Sequence, residues 1–467
     1  MALVPGVNVL GFRQNAVHRL ILVTAVVGAL VGCRPGAPAD PKIRNVIVVV
    51  VDTLRADHLG CYGYSRDTSP NLDRFANDNL LFSRVRSQAS CTYPSVNSLL
   101  TSTYPYRFLN QPNGEMGIPE QTRSLPEILK MQGMATIAVS ASPIVRRPSI
   151  ETEPHGDFSR GFDIFDSECM HRSAECVNRQ ALTHIARVKQ PFLAYLHYFE
   201  PHNPYRPPQH FKRKYAGEFF GPEFIRLGNP NPLELMVYRD GPQLELDDDS
   251  LNHLVDLYDD EISYFDDQFA QLLDALRRRR LMDNTIIVVA SDHGEDFLQE
   301  HGHVKHCHTL YEAVTRTPLM MRIPGVERDR PIEVMVENVD IVPTIFDYLG
   351  LDVADLGLEG RSLRGAIERD EPVHEFVFSL QDAMRSADDG RLKLIADLSS
   401  NQSLLFDLHD DPGELENLFS TATDGVALLE QALSDWRLRH ESGVDVDDAV
   451  LAAEAAQERL RAIGYLQ

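Results

Sequence analysis

The sequence predicts an α/β protein, with a mostly parallel β-sheet sandwiched by helices and a smaller C-terminal subdomain that holds an antiparallel sheet. Asn45–Val51 is a continuous run of β-branched residues, which is typical of a strand buried on both faces. Further buried strands alternate with helical segments along the chain, as in sheets built from parallel strands. After about Val373 the pattern changes to short strands and turns, and this change predicts the antiparallel sheet.

Each predicted element follows from its local pattern. Short apolar runs predict four more strands of the large sheet, at 134–140, 191–199, 285–290 and 318–323. Apolar residues at helical spacing predict helices at 125–132, 248–280, 339–349, 425–439 and 447–463. The short strands of the subdomain are predicted at 375–380, 392–396 and 404–408. These assignments give a main domain at 42–370 and a C-terminal subdomain at 371–467.

Composition limits the classes of function. The chain has 467 residues and is 43% apolar, which is enough for a large core and more than one domain. Its 45 Lys and Arg against 69 Asp and Glu give a net charge of −24, which argues against binding nucleic acid through a basic surface. An anionic substrate would therefore need a locally positive site, such as a metal ion.

Residues 1–33 have the features of a lipoprotein-type signal peptide. Basic residues precede an apolar run at 20–32, which is shorter than the about 20 residues that a transmembrane helix needs. The run ends in L-V-G-C, which resembles the bacterial lipobox and predicts lipidation of Cys33; an ordinary signal peptide with an incidental cysteine is the alternative. Residues 34–41 have the composition of a flexible tether. We therefore expect an exported domain in the bacterial cell envelope, periplasmic or at the surface, held to the membrane by a lipid anchor.

Five cysteines follow Cys33, and export implies an oxidising compartment in which cysteines can pair. Cys169 and Cys176 could close a short loop, although their spacing is only weakly typical of a disulfide. No C-x-x-C pair in the sequence indicates a zinc or redox site.

Polar side chains follow two of the predicted parallel strands. Asp52 comes directly after the first strand, and Asp292 and His293 come after the strand at 285–290. Because ligands bind beyond the carboxyl ends of such strands, we expect these residues to meet there. Two carboxylates and an imidazole suit Ca²⁺, Mn²⁺ or Zn²⁺. Taken one at a time, each could instead cap a helix or a turn.

The segment S-C-T-Y-P-S-V-N-S-L-L-T-S-T-Y-P, at 90–105, predicts a helix that begins near Pro94 and Ser95. Thr92 would then lie at the helix N-terminus, where unpaired N–H groups and the helix dipole favour anions. Its hydroxyl could be a fourth metal ligand, since coordination lowers the pKa of a hydroxyl group. On this segment alone, a capped helix with a structural threonine is the alternative.

Histidines cluster at two further places. His202 lies in the proline-rich segment F-E-P-H-N-P-Y-R-P-P, and four more histidines lie with Lys305 in E-H-G-H-V-K-H-C-H-T-L-Y-E, namely His301, His303, His306 and His308. The second segment could hold a separate metal ion. Alternatively, these side chains could serve as cations and proton donors around a bound oxyanion.

In their order along the chain, these motifs resemble the sulfatase family of the alkaline phosphatase superfamily, over about residues 42–418. The matching segments are V-D-T-L-R-A-D-H-L-G-C-Y-G, the block at 92–105, R-G-F-D, P-H-N-P-Y-R-P-P, S-D-H-G-E, the His-rich loop, V-D-I-V-P-T and L-F-D-L-H-D-D-P-G-E. The resemblance implies a metal-dependent hydrolase of sulfate- or phosphate-type esters. It implies that Asp52, Asp292 and His293 bind the metal ion, and that His202 and His306 are cationic or proton-donating groups.

The chain departs from the family pattern at the nucleophile. Family members of the formylglycine type read C-T-P-S-R-A-S-L-L-T-G-R-Y-P. A gapless alignment on S-L-L-T and the closing Y-P places their modified cysteine opposite Thr92 and not opposite Cys91. The arginine of that motif is Val96 here, and the usual second aspartate after Asp52 is Thr53.

These departures change the expected chemistry. A formylglycine hydrate expels sulfate by returning to the aldehyde, which a threonine cannot do, whereas a phospho-threonine can be hydrolysed by in-line attack of water. We therefore expect Thr92 to act as a metal-activated nucleophile, with phosphate or phosphonate esters slightly favoured. Loss of the second aspartate favours Mn²⁺ or Zn²⁺ over Ca²⁺, and Lys305 or Arg55 could replace the lost arginine. A transferase of phospho-groups in the envelope and a catalytically inactive binding lipoprotein are the alternatives.

Overall fold

The structure is a computed structural model that describes residues 43–109, 117–120, 122–147, 157–170, 173–232, 247–297, 301–352 and 355–441. The predicted signal peptide with Cys33, the tether and the predicted helix at 447–463 lie outside the described residues. No helix in the described ranges is long and apolar enough to cross a membrane.

The strands are numbered along the described chain as β1 Asn45–Val51, β2 Leu80–Arg86, β3 Ala135–Ser140, β4 Ile164–Asp166, β5 Phe192–Tyr198, β6 Thr285–Ser291, β7 Asp296–Phe297, β8 Val304–Lys305, β9 Leu319–Arg322, β10 Ile332–Glu337, β11 Val377–Gln381, β12 Met384–Asp388, β13 Leu392–Asp397 and β14 Gln402–Asp407. Eight of them form one sheet in the order β10–β2–β9–β6–β1–β5–β3–β4. Within this sheet β9 alone is antiparallel to its neighbours. The predicted mostly parallel sheet is confirmed.

The structure adds three strands to the five that the sequence predicts for this sheet. The apolar run of β2 is interrupted by the partly exposed Ser83 and the exposed Arg84, and β10 carries the exposed Glu333. The third, β4, has only three residues. Such strands lack the continuous apolar pattern by which the others are predicted, because they lie at or near the edges of the sheet.

Helices cover both faces of the large sheet. Successive side chains of β1 alternate between two core clusters, as the two-residue period of a strand requires. The first cluster includes the helices Pro70–Asp78, Ala174–Ile185 and Asp248–Arg278, and the second includes Thr92–Thr101, Leu125–Met131 and Ile341–Leu349. Further helices of the described residues are Tyr106–Leu109, Glu223–Arg226, Glu312–Thr315, Arg364–Arg369 and Thr423–His440.

The C-terminal antiparallel sheet contains β11 to β14 in sequential order. The helix Thr423–His440 packs on it through Leu429 and Trp436. The strand β12, M-R-S-A-D, has no apolar pattern and is not indicated by the sequence. Its charged residues are nevertheless buried, because Arg385 pairs with Glu441 and Asp388 pairs with Arg86.

Candidate active site

Three adjacent strands bring the candidate metal-binding residues together. The order β6–β1–β5 places Asp292, which follows β6, beside Asp52, which follows β1. His197, the penultimate residue of β5, is paired in register with Val50. Thr92 is the first residue of the helix Thr92–Thr101, so the helix begins two residues earlier than predicted. All of these side chains are buried.

In each of the two aspartates, one carboxylate oxygen contacts a protein N–H group or ring nitrogen, and the other points to a place where a cation could bind. Asp52 Oδ2 lies 3.1 Å from His197 Nε2, and Asp292 Oδ1 accepts hydrogen bonds from the backbone N–H groups of Thr53 (3.3 Å) and His293 (2.9 Å). Among the described residues, Asp52 Oδ1 and Asp292 Oδ2 have no hydrogen-bond partner. Buried carboxylate oxygens without a partner are costly, and a cation between them removes that cost.

The imidazole of His293 directs a lone pair toward these two carboxylate oxygens. Its Nδ1 lies 2.9 Å from the carbonyl oxygen of Gly294 and donates to it, so in the neutral ring Nε2 carries the lone pair. That Nε2 lies 3.1 Å from Thr92 Oγ1, 3.6 Å from Asp292 Oδ2 and 3.9 Å from Asp52 Oδ1. Burial, and then the charge of Asp292, raises the pKa of Asp52 well above its usual range. The four predicted ligands therefore converge, and their chemistry fits a divalent cation.

His197 belongs to the site, although no motif in the sequence indicates it. Potential ligand atoms of Asp52, His197 and Asp292 all lie within 4.8 Å of one another. His197 Nδ1 lies 2.8 Å from the hydroxyl of Tyr195. Burial lowers the pKa of His197 to about 4 and raises that of Tyr195 well above its usual range. The neutral imidazole thus accepts from Tyr195 and donates from Nε2 to Asp52, which orients that carboxylate. The available signal was a single histidine in an otherwise apolar strand.

A second group of side chains faces the first from two loops. The rings of His202 and His306 have centroids 4.9 Å apart, and the rings of His306 and His293 have centroids 4.5 Å apart. His306 Nδ1 lies 2.8 Å from Glu295 Oε1, whereas His202 Nδ1 donates to the Asn203 carbonyl at 2.6 Å. Burial, followed by the nearby His306, lowers the pKa of His202 well below its usual range.

Lys305 and Arg55 differ in how they relate to this group. Lys305 is buried and is the last residue of β8, directly before His306. Its positive charge acts to lower the pKa of both His202 and Glu295. The guanidinium of Arg55 contacts Asp57 and the carbonyl oxygen of Glu295. Of the two cations predicted to replace the missing arginine, Lys305 therefore lies among the site histidines, whereas Arg55 is held by an ion pair beside them.

Comparison with known proteins identifies the family. A family model described as Sulfatase matches residues 44–351. The chain belongs to the sulfatase family. A second model, described as N-sulphoglucosamine sulphohydrolase, C-terminal, matches residues 299–438. The prediction of an ester hydrolase of this family is thereby confirmed.

Individual sulfatases are distant from this chain. It is 26% identical to mouse iduronate 2-sulfatase (Mus musculus) over 390 residues, which cover 66% of this chain and 69% of the relative. It is 28% identical to the choline-sulfatase of Rhizobium meliloti over 281 residues, which cover 57% and 54%. The solved phosphonate monoester hydrolase of Agrobacterium radiobacter superposes with a TM-score of 0.69 at 20% identity, covering 85% of this chain and 96% of that one. The last similarity shows a shared fold.

In this member of the sulfatase family the cysteine beside Thr92 is part of a disulfide. Cys91 is bonded to Cys307, 216 residues away, a pairing that the sequence does not indicate. Cys91 therefore has no free thiol. Cys169 and Cys176 also form a disulfide, so the weak spacing signal was correct.

The two substituted family positions lie in different environments. Thr53 has a left-handed backbone, with φ of 58°, and its buried hydroxyl oxygen has no hydrogen-bond partner among the described residues. Val96 is fully buried in the core on one face of the large sheet, so that position brings no charge to the site.

The other histidines of the His-rich loop do not form a second metal site with residues in the described ranges. His301 stacks on Tyr311 at a centroid distance of 3.5 Å and lies 3.2 Å from the carbonyl oxygen of Glu414. Both partners lie next to the C-terminal sheet or its connections, so this histidine joins the loop to that part of the chain. His303 and His308 are half-buried.

Proposed function

We propose that this protein is a metal-dependent hydrolase of phosphate- or sulfate-type esters, with Thr92 as its nucleophile. The observation that carries the proposal is the position of Thr92 Oγ1. It lies at a helix N-terminus, 3.1 Å from His293 Nε2 and beside two buried carboxylate oxygens that have no hydrogen-bond partner within the described part of the chain. An anionic ester at this point would meet the positive end of the helix dipole and a bound cation together.

Asp52, Asp292, His293 and Thr92 would hold the cation. When bound, it would lower the pKa of the Thr92 hydroxyl and polarise an ester oxygen. The set contains one nitrogen and only two carboxylates, because Thr53 replaces an acidic residue. Ca²⁺ prefers six to eight oxygens, whereas imidazole nitrogen suits Mn²⁺ and Zn²⁺. We therefore propose Mn²⁺ or Zn²⁺ as the resident ion.

The reaction would proceed in two displacements. In the first, Thr92 Oγ1, after losing its proton, forms a bond to phosphorus or sulfur while the bond to the alcohol oxygen breaks, and that oxygen takes up a proton. In the second, water attacks phosphorus or sulfur, the bond to Thr92 Oγ1 breaks and Oγ1 takes up a proton, so that phosphate, phosphonate or sulfate is released and the hydroxyl is restored. Because Thr92 has no aldehyde form, this second step must break the ester directly. Phosphorus accepts in-line attack more readily than sulfur, so phosphate and phosphonate esters are favoured.

The loop histidines would divide the proton transfers. Glu295 is hydrogen-bonded to His306 and would stabilise that ring in its cationic form, so His306 can donate from Nε2 to the leaving oxygen. His202 is kept neutral by burial and by the positive charges near it, so its Nε2 can accept a proton from the attacking water. Lys305 would neutralise part of the negative charge of the bound ester.

The sequence of residues 1–41 supports placement in the bacterial cell envelope, with a lipid on Cys33 as the anchor. This part of the proposal is independent of the active site. Labelling with a radioactive fatty acid in the native host tests it, since Cys33→Ala would abolish incorporation if Cys33 is the acylated residue.

The activity is tested with the purified full chain loaded separately with Mn²⁺, Zn²⁺ or Ca²⁺. The substrates are aryl sulfate, aryl phosphate, an aryl phosphodiester and an aryl phosphonate. We expect Thr92→Ala to lower turnover by on the order of 10⁴-fold or more. The matched variant Thr92→Ser retains a hydroxyl and is expected to stay within about tenfold of the parent.

Three outcomes would contradict the proposal. Turnover retained by Thr92→Ala would remove Thr92 from the nucleophile role. A clear preference for aryl sulfate would reverse the expected substrate class. If the metal-loaded chain binds inorganic phosphate but hydrolyses no ester, the protein is a binding lipoprotein, or a transferase if a phospho-group passes to an added alcohol.

A further inference from the structure

The disulfide Cys91–Cys307 joins the two sides of the candidate active site. Cys91 directly precedes Thr92, and Cys307 directly follows His306. The two cysteine Cα atoms are 4.6 Å apart. The only covalent link between these two distant parts of the described chain therefore lies one residue from the proposed nucleophile and one residue from the proposed proton donor.

Hydrogen bonds reinforce the same junction. The backbone N–H of Cys307 donates to the carbonyl oxygen of Ser90 at 2.8 Å, so the two segments are joined by backbone as well as by sulfur. On the other side, the Ser95 hydroxyl donates to the Cys91 carbonyl oxygen, and Cys91 is the residue that caps the helix Thr92–Thr101. A displacement of Cys307 would therefore also move Cys91 and the first residues of this helix.

The backbone around His306 depends on its surroundings. Lys305 and Cys307, on either side of His306, both have left-handed backbones, with φ of 68° and 75°. Residues other than glycine seldom adopt this conformation, and they keep it only where neighbouring structure enforces it. The described contacts that enforce it at Cys307 are the disulfide and the hydrogen bond to Ser90.

We propose that the Cys91–Cys307 disulfide is a positioning cross-link that holds His306 beside His293 in the site that contains Thr92, and that the enzyme is fully active only in its oxidised form. The inference rests on the proposed roles of these two residues. A dithiol reductant would transfer two electrons and two protons to the bond, giving two cysteine thiols while the dithiol becomes a disulfide. His306 would then leave its place while the sheet-bound carboxylates stay in theirs. A misplacement of about 1 Å costs on the order of 10²-fold in rate.

The test uses single and paired cysteine variants of the full metal-loaded chain. Cys307→Ala and Cys91→Ala are each expected to lower kcat about 10- to 100-fold, with KM changed less than about threefold. The matched control is Cys169→Ala/Cys176→Ala, which removes the other disulfide of the described chain and is expected to stay within about twofold of the parent. Dithiothreitol added to this control variant should lower kcat to the level of Cys307→Ala, and reoxidation should restore it.

Hydrogen exchange measures positioning without any turnover. We expect the peptide that covers residues 301–311 to exchange at least tenfold faster in Cys307→Ala than in the parent, with strand β1 unchanged. If the parent hydrolyses none of the four esters, the proposed function fails, and this exchange measurement still tests the cross-link.

Two results would overturn the inference. One is full activity and unchanged exchange in Cys307→Ala, which would make the disulfide dispensable. The other is activity that survives in Cys307→Ala but is lost in Cys91→Ala. That pattern would assign the chemistry to the Cys91 sulfur itself, because only the first variant leaves this thiol available.

Discussion

The candidate site has two halves that are held in place by different means. The strand half consists of Asp52, His197, Asp292 and His293, at the carboxyl ends of adjacent strands. The loop half consists of His202, Lys305 and His306. The strand half is fixed by regular hydrogen bonding between β6, β1 and β5. The loop half is fixed by residues with left-handed backbones, a hydrogen bond from a side chain to a carbonyl oxygen, and a disulfide.

This difference indicates separate tasks. The strand half concentrates negative charge in a rigid, buried place, which is what binding of a cation requires. The loop half carries groups that must gain or lose protons near a changing substrate, and its position depends on a few contacts. We therefore expect damage to the strand half to abolish metal binding, and damage to the loop half to reduce rate while metal binding survives.

The largest expected effect is that of Asp292→Asn. The amide keeps an oxygen for the N–H groups of Thr53 and His293 but loses the charge, so metal affinity should fall beyond measurement and activity by on the order of 10³-fold. Metal content after dialysis and thermal unfolding with and without Mn²⁺ or Zn²⁺ check this. The metal-free variant should be at least as stable as the metal-free parent, because two buried negative charges no longer face each other.

Asp57→Asn serves as the matched control for that change. It removes a carboxylate close to the same strand end, but Asp57 pairs with Arg55 and lies outside the ligand set. It is expected to bind metal as the parent does. Equal loss of metal in both variants would mean that general acidity, and not the converging ligands, holds the ion.

The next effect is that of His306→Gln in the loop half. We expect turnover to fall about 10²- to 10³-fold while the metal-induced rise in melting temperature is unchanged, because His306 is proposed to donate a proton and not to bind the ion. The loss should be smaller for aryl esters whose leaving group is a strong acid, since these need less protonation. A loss that is independent of the leaving group would contradict the proton-donor role.

A smaller effect is expected for Tyr195→Phe, which tests how the strand half is oriented. Without the Tyr195 hydroxyl, His197 can turn to the other tautomer and stop donating to Asp52, so metal affinity should fall about tenfold. Titration calorimetry with Mn²⁺ or Zn²⁺ measures it. Tyr198→Phe is the matched control, because it removes a hydroxyl on the opposite face of the same strand, where the partner is Asn178.

The smallest effect concerns stability alone and lies outside both halves. Burial raises the pKa of Glu337, which accepts from Tyr104 and from the N–H of Phe378, to about 7. Since the folded state holds this proton more tightly than the unfolded state, the contribution of Glu337 to stability is greatest below about pH 5 and is lost as pH rises through 7. Glu337→Gln should flatten this slope by on the order of 1–3 kcal/mol between pH 5 and 8, without changing metal affinity. Urea unfolding at each pH measures it, and an unchanged slope would contradict the assignment.

The sequence by itself determined the fold class and indicated that Asp52, Asp292 and His293 of the strand half lie at one edge of the sheet. Buried β-branched runs predict parallel strands, and parallel strands bring their carboxyl ends to one edge, so Asp52 and Asp292 are expected at the same edge; the order of the strands makes them neighbours. The register of the motif at 90–105 likewise pointed to Thr92 and away from Cys91. The choice of Thr92 stays a prediction, whereas the prediction of the fold class is confirmed, because it depends on local patterns and on one general property of parallel sheets.

Only the tertiary structure decided how the loop half is held and which groups support the metal ligands. The sequence offers only a single histidine in an apolar strand as a signal for His197, and its role follows from a contact with Asp52, 145 residues away. The pairing of Cys91 with Cys307 spans 216 residues and could not be read from spacing. Irregular loops have no repeating geometry that translates sequence into position, so their contacts emerge only when the whole chain has packed.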